Sequence, residues 1–325
     1  MTDDAPIRWA VVATGGIASS FVADLQATDD ADVVAVASRS LERARTFAAE
    51  RDIPRTYDDV EAMLADGDID VLYVATPHPQ HVRPTRAALE AGTAVLCEKP
   101  LAADATEAAS LVAEARERGV LLAEAMWLRC NPLVVEAREL VTDGAIGELR
   151  LITADLGFPA PYDPTSRLWA PELGGGALLD VGVYPLALAR AFLPAAPTLV
   201  GATGSLAPTG VDADATLLLD GGGVAVRLSC SLTTALSSSA ALIGSEGELR
   251  FDAPLFRPTR RTLLRADAAP EEAFLDEAVP GFGFEIAEIH RCVRAGLTES
   301  ALLPLDETLE VLDLLVDARE RLGVR

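Results

Sequence analysis

Ile7-Arg8-Trp9-Ala10-Val11-Val12-Ala13-Thr14-Gly15-Gly16-Ile17-Ala18 is the stretch that decides the fold. Ile7–Ala13 is short and almost continuously apolar, the pattern of a parallel strand covered on both faces. A glycine pair follows, and an amphipathic stretch, Ile17–Ala27, begins at once. Backbone at such a turn can approach a pyrophosphate closely, and the helix start aims unbonded N–H groups at it. Gly15 and Ala18 fill two of the small-residue places that a dinucleotide-binding turn needs, while Ala13 stands where a first glycine is usual. Thr14, Gly15, Gly16 and Ile17 are the expected contacts to a nucleotide.

The same alternation continues outward from this turn. Val33–Ala37, Val71–Ala75, Ala94–Glu98 and Val120–Glu124 read as strands. Leu41–Arg51, Asp58–Asp66, Gln80–Ala91 and Asp104–Arg118 read as helices, with Gly92 and Gly119 at the expected C-caps. Residues 1–127 are thus predicted to form a doubly wound, parallel α/β domain. Residues 128–325 form a second, α+β domain. Asn131-Pro132 opens a helix to Val141, Leu149–Leu156 is a strand, and Gly174-Gly175-Gly176 opens a helix over Ala177–Phe192. Thr198–Leu206, Ala215–Asp220, Val224–Leu232, Ala240–Ile243 and Glu248–Phe251 then form a mostly antiparallel sheet, with Asp220-Gly221-Gly222-Gly223 as a hairpin turn. Glu285–Ala295 and Leu305–Leu322 are closing helices. Along Val224–Leu232 one face is apolar and the other carries Ala225, Arg227, Ser229 and Ser231, a face suited to solvent or to a flat subunit contact.

Composition narrows the function. The chain has 325 residues and a net charge of −23, a field that opposes phosphate backbones and anionic lipid, so neither nucleic acid nor membrane is an expected partner. Cys97, Cys130, Cys230 and Cys292 stand far apart in apolar surroundings, as buried reduced thiols do. Met1-Thr2-Asp3-Asp4 is acidic where a signal peptide would be basic, and no apolar run is long enough to span a bilayer; a cytoplasmic protein is expected. Of 27 basic residues, 26 are arginine and one is lysine, Lys99. An ammonium can lose its proton or act as a point charge where a guanidinium cannot.

Three further motifs carry chemistry. Ala37-Ser38-Arg39-Ser40 ends the second strand, where NAD-preferring sites place a carboxylate on the ribose hydroxyls. None is present, and Ser38 and Arg39 can bind a 2′-phosphate, so NADP is the expected cofactor, with NAD a possible substitute. Cys97-Glu98-Lys99-Pro100 ends a parallel strand, and ligands of open α/β sheets bind just outside those ends. In the segment from Gly174 to Pro185, Asp180 and Tyr184 are four apart and share one helix face, with Lys99 the obvious cation to partner them. His78 and His81 have no third ligand nearby, so no metal site is expected.

Glu98-Lys99-Pro100, followed by Gly174-Gly175-Gly176 with Asp180, Gly182 and Tyr184, resembles the Gfo/Idh/MocA family of oxidoreductases. The likeness runs nearly end to end, through Thr76-Pro77 with His81, Glu124-Ala125-Met126-Trp127 and the closing helices. Tyr184, where most members have histidine, together with Trp127 is similar to the branch of dimeric dihydrodiol dehydrogenase, NADP-dependent D-xylose 1-dehydrogenase and glucose–fructose oxidoreductase. The resemblance implies a Rossmann domain and an open-faced sheet domain, dimerisation through that sheet, and cofactor contacts from Thr76, Pro77, His81, Glu98 and Lys99. Leu156 stands where part of the branch places an aromatic residue, which leaves the substrate open.

The chemistry expected is hydride transfer between nicotinamide and a hydroxyl or carbonyl carbon of a sugar or cyclic diol. Tyr184 is the expected base, with Lys99 beside it and Asp180 orienting lysine or substrate; Lys99 as the acid/base is the alternative. Lowering a phenol from about 10 by roughly 2–3 units takes about 3–4 kcal/mol, and one cation about 4 Å away at an effective dielectric near 20 supplies about that. Trp127, Phe158, Tyr162, Arg167 and Trp169 are the expected substrate walls. Reduction of a keto-sugar and a non-catalytic NADP-binding sensor are the competing readings, and retention of Lys99, Asp180 and Tyr184 together argues against the sensor.

Overall fold

A computed structural model describes residues 5–276 and 278–324, so the acidic Met1–Asp4 stretch lies outside the described residues. The chain divides into two compact units, Met1–Ala125 with Val279–Leu305, and Met126–Ala278 with Asp306–Arg325.

In the first unit β1 (Ile7–Val12), β2 (Ala31–Ala37), β3 (Arg55–Tyr57), β4 (Val71–Val74), β5 (Ala94–Glu98) and β6 (Leu122–Ala125) form one parallel sheet in the order β3-β2-β1-β4-β5-β6. This is the Rossmann order, whose ligand crevice lies outside the carboxyl ends of β1 and β4, where the winding reverses. Its apolar strands are buried, as their unbroken runs require. The helices are α1 (Gly16–Gln26), α2 (Leu41–Ala49), α3 (Val60–Ala65), α4 (Val82–Ala91) and α5 (Ala105–Arg118). Ser40, Asp59 and Asp104 cap α2, α3 and α5 through their side chains, which accept from the amides three residues on. Gly92 and Gly119 end α4 and α5 in the left-handed conformation at φ 73° and 65°. Only β3, three half-buried residues at the sheet edge, has no counterpart in the apolar pattern.

The first closing helix, α8 (Gly283–Arg294), belongs to this unit although it follows the second sheet in sequence. The first unit is therefore discontinuous in sequence. Polar contacts fix α8: the Trp9 indole donates to His290 Nε2 at 3.0 Å, His290 Nδ1 stands 3.1 Å from Asp30, and the Phe282 amide donates to Asp24 at 2.8 Å.

The second unit starts with α6 (Pro132–Thr142), whose Leu133 amide donates to Asn131 Oδ1 at 2.9 Å. Its sheet contains β7 (Leu149–Gly157), β8 (Thr198–Leu206), β9 (Asp212–Asp220), β10 (Ala225–Ser231), β11 (Ala240–Gly244), β12 (Gly247–Phe251), β13 (Arg260–Arg265) and β14 (Glu271–Phe274). The order is β14-β13-β12-β11-β7-β10-β9-β8, antiparallel except for β7 beside β10. β13 and β14 are rich in Arg and Glu, which hid them from apolar periodicity.

On β10 Val226, Leu228 and Cys230 are buried while Ala225 and Arg227 are exposed, as the alternation predicts. Ser231 departs from it: it is buried, and its hydroxyl accepts from the Thr233 and Thr234 amides at 3.0 and 2.9 Å. The predicted helix over Ala177–Phe192 is two pieces, a single wide π-type turn at Leu178–Gly182 and then α7 (Val183–Phe192). Such turns interrupt helices mostly at functional sites. α9 (Leu305–Leu322) closes the chain. All four cysteines are buried, and no described helix is long and apolar enough to cross a membrane.

Candidate active site

The turn after β1 is open. Gly15 precedes α1 in an extended conformation with no side chain capping the helix, and the first turn holds no acidic residue. A Cβ at Gly15 or Gly16 would meet nothing within 4 Å, and Ile17 is 42% exposed beside them. Unbonded N–H groups facing empty space are a fit for a pyrophosphate. Ala13 adopts φ 100°, a region that L-residues rarely occupy. Its departure from glycine thus matters through backbone strain rather than through the size of one methyl group.

At the end of β2, Ser38 is half-buried with its amide on the Tyr57 carbonyl at 3.1 Å. Arg39 and, in the first turn of α2, Arg43 are exposed, and neither guanidinium has an ion pair or hydrogen bond among the described residues. Arg43 escaped the sequence reading because a helix-surface arginine carries no motif. Two unpaired guanidinium groups and no carboxylate at the end of β2 suit a ribose 2′-phosphate.

The ends of β4 and β5 are tied together from below. His81 is fully buried, with Nε2 2.7 Å from the Thr76 carbonyl and Nδ1 2.9 Å from that of Pro100. Burial pushes its pKa down to about 4, so two carbonyls share one ring proton. Neither ring nitrogen is turned outward to a ligand or a metal, and no cluster of three metal-binding side chains occurs among the described residues. Thr76 keeps a buried hydroxyl without a hydrogen-bond partner, an atom that a bound nucleotide could satisfy.

Glu98 is buried, taking the Tyr73 hydroxyl at 2.6 Å and the Lys99 amide at 3.2 Å. Glu124 accepts from the Leu101 amide at 3.0 Å. Two carboxylates thus grip the backbone on either side of Pro100 and present the half-buried Lys99 just past β5. Behind them Glu285, from α8, is 1% exposed with neither oxygen hydrogen-bonded. Burial, then the charges of Glu98 and Glu124, holds its carboxyl well above the usual range. Nothing in its spacing on an amphipathic helix marked it out.

In the second unit the glycines answer to close packing. The Gly175 and Gly176 amides donate to the Ala170 and Leu168 carbonyls, each at 3.0 Å. A Cβ on Gly175 would lie 2.8 Å from the Leu168 carbonyl oxygen. This knot launches the wide turn that carries Asp180. The Asp180 side chain is 7% exposed and accepts from Arg167 Nη1 at 2.6 Å, while Arg167 is itself 59% exposed. Within its own unit the cation that meets Asp180 is Arg167, which the sequence offered only as a substrate wall.

Tyr184 packs on Phe256 with ring centres 6.1 Å apart, and Phe256 stacks on Trp127 at 5.9 Å with the planes 7° apart. Phe256, in the loop between β12 and β13, was also missed, because an isolated aromatic in a loop has no periodicity. Tyr162 and Phe158 are 49% and 41% exposed. Trp169 is buried: its indole donates to the Pro161 carbonyl at 2.9 Å and its ring meets the edge of Tyr162, so it braces the loop beneath them.

Residues 7–126 match the model described as "Oxidoreductase family, NAD-binding Rossmann fold", and residues 134–250 match that of the GFO/IDH/MocA C-terminal domain. The chain belongs to the GFO/IDH/MocA oxidoreductase family. As a member it is an NAD(P)-dependent dehydrogenase or reductase. Trans-1,2-dihydrobenzene-1,2-diol dehydrogenase of Oryctolagus cuniculus is 38% identical over 324 residues, 97% of this chain and 98% of that protein. The enzyme of that name from Homo sapiens is 35% identical over 328 residues, 98% and 97% of the two chains. KijD10, a 3-ketoreductase from Actinomadura kijaniata solved with NADP and TDP-benzene, is 30% identical with a TM-score of 0.86 over 98% of each chain. Aldose-aldose oxidoreductase from Caulobacter crescentus shares the fold, with a TM-score of 0.88 at 23% identity over 97% of each chain.

Proposed function

We propose that this family member is an NADP-dependent dehydrogenase of a sugar or cyclic diol, with Tyr184 as its acid/base. The observation that carries the reading is the pairing, on one wide turn and the helix it opens, of a buried carboxylate held by Arg167 with a phenol set against the Trp127–Phe256 aromatic pair. Nicotinamide, when bound, supplies the hydride acceptor or donor. Tyr184 takes the hydroxyl proton in oxidation and returns it in reduction. Lys99 lowers the cost of the phenolate, and Asp180 orients the lysine or the reacting hydroxyl. The assignment of these residues to one reaction rests on their chemistry and on the place of each in its own unit.

Ser38, Arg39 and Arg43 take the 2′-phosphate, and the open turn at Thr14–Ile17 takes the pyrophosphate. Thr76 and Pro77 line the same crevice, while His81 and Glu98 act by holding its loops. Exposed Tyr162 and Phe158 with Trp127 offer platforms to the apolar face of a ring, and Arg167 offers donors to its hydroxyls. Reduction of a keto-sugar is the second reading, favoured by the 30% identity to a 3-ketoreductase solved with NADP.

A homodimer through the second-unit sheet completes the proposal. Thr153, Asp155, Thr216, Ser229 and Ala241 are only half-buried on the face opposite the core, a small and flat surface suited to a second copy. The cytoplasm is its proposed compartment, in keeping with four reduced thiols. Turnover of NADP or NADPH with aldoses, dihydrodiols and keto-sugars tests the whole. In Tyr184→Phe, NADP affinity should persist while kcat falls about 10²-fold or more. A rate within a few-fold of the parent would reduce Tyr184 to a wall residue.

A further inference from the structure

Asp212 opens β9, is fully buried, and belongs to none of the groups assigned above. Its Oδ2 accepts the Leu178 amide at 2.5 Å, so the carboxyl sits on the first turn of the segment that carries Asp180 and Tyr184. Its Oδ1 has no hydrogen-bond partner and stands 3.6 Å from the Arg319 guanidinium of α9, whose Nε is also unbonded. Gly176 makes room for it: a Cβ there would fall 2.4 Å from Oδ1, and the residue has φ 125°. The last glycine of the Gly174–Gly176 knot is therefore needed twice, for its backbone and for the approach of Asp212. Burial raises the Asp212 carboxyl, with the Leu178 amide and Arg319 pulling the other way.

A capping serine would satisfy the Leu178 amide without burying an ionisable group. What the carboxyl adds is a rigid seat, set against the half-buried Arg319 cation, for a turn that is not a regular helix. Leu178–Gly182 is wound one residue wider than α-helix. Were it to relax, Asp180 would rotate relative to Tyr184 by up to one residue's angular step, about 100°.

We propose that Asp212 is a positioning residue, whose seat on the Leu178 amide holds the wide turn and so fixes the angle between Asp180 and Tyr184. This rests on the assignment of those two residues to the reaction. Asp212→Ala removes the seat altogether. Asp212→Asn can offer an oxygen to Leu178 only by turning its amino group toward Arg319, so it should be intermediate.

The experiment measures kcat, KM, the pH profile of kcat, NADP affinity and melting temperature for both variants, beside Tyr184→Phe, in the full-length protein. Expected are a loss of kcat of about 100-fold in Asp212→Ala and about 10-fold in Asp212→Asn, with KM within about threefold and NADP affinity within about twofold. The pH limb that disappears in Tyr184→Phe should be displaced in both. A merely structural role would lower the melting temperature and leave that limb in place. If Asp212→Ala does not fold, Asp212→Asn decides alone. Folded variants with parental kcat and an unmoved limb overturn the proposal while an inactive Tyr184→Phe keeps the catalytic reading. An active Tyr184→Phe overturns the catalytic reading itself.

Discussion

Glu285→Gln should make this protein more stable at neutral pH. Glu285 is 1% exposed, has no hydrogen bond at either oxygen, and has Glu98 and Glu124 as its charged neighbours. Its folded pKa is raised well above the ordinary 4.5, so folding takes up a proton. The sign follows from linkage: stability from this group is complete below pH 4.5 and drains away as pH rises toward the folded value. Each unit of pH in that window costs about 1.4 kcal/mol.

Glutamine has nearly the same shape and no proton to bind, so it escapes this loss. Its advantage should be under about 1 kcal/mol at pH 5 and larger at pH 7, growing by up to about 1.4 kcal/mol for each pH unit between them. Urea unfolding at the two pH values and fixed salt measures both differences. A variant no more stable than the parent at pH 7, or equally favoured at both pH values, would refute the picture of a lone acid kept neutral by burial.

Ser38→Asp should turn cofactor preference from NADP toward NAD by repelling the 2′-phosphate, read as the ratio of kcat/KM for the two; indifference to the change, or equal use of both by the parent, would count against that site. Lys99→Arg should be nearly as inactive as Lys99→Met, with little change in melting temperature, because a broad, permanently charged guanidinium cannot act as a compact charge; near-parental turnover would show that charge alone suffices. Ala13→Gly should relieve strain at φ 100° and raise stability by up to about 1 kcal/mol, less what glycine costs in the unfolded chain. A lower melting temperature in that variant would mean that Ala13 is not strained.

The nucleotide-binding unit was legible from its sequence because each of its signals is local. An apolar strand, a glycine turn and a capped helix recur along it, and Ser40, Asp104, Gly92 and Gly119 act where propensity puts them. Asp180 and Tyr184 were visible by their spacing and chemistry alone. Phe256, Asp212 and Glu285 were not, since each matters through a neighbour distant in sequence: Trp127, Leu178 and the Glu98–Glu124 pair. β13 was hidden for a related reason. Arg261 sits on it at 1% exposure, and its guanidinium reaches Glu136 at 2.9 Å, so a residue that reads as surface is interior. The wide turn at Leu178–Gly182 could not be told from an α-helix, because the two differ by one residue in winding and not in composition.

The return of α8 to the first unit has a consequence for biosynthesis. Trp9 waits for a partner 281 residues later, so the earliest strand leaves the ribosome long before the helix that covers it. Asp24 and Asp30 wait as well, for Phe282 and for His290 and Arg294. A nascent chain released after Ala125 and before Val279 carries a complete parallel sheet whose tryptophan lacks its α8 partner, a surface for chaperones to hold. Vectorial synthesis therefore cannot finish the two units one after the other, and a gene cut at their first boundary should yield a sticky N-terminal fragment.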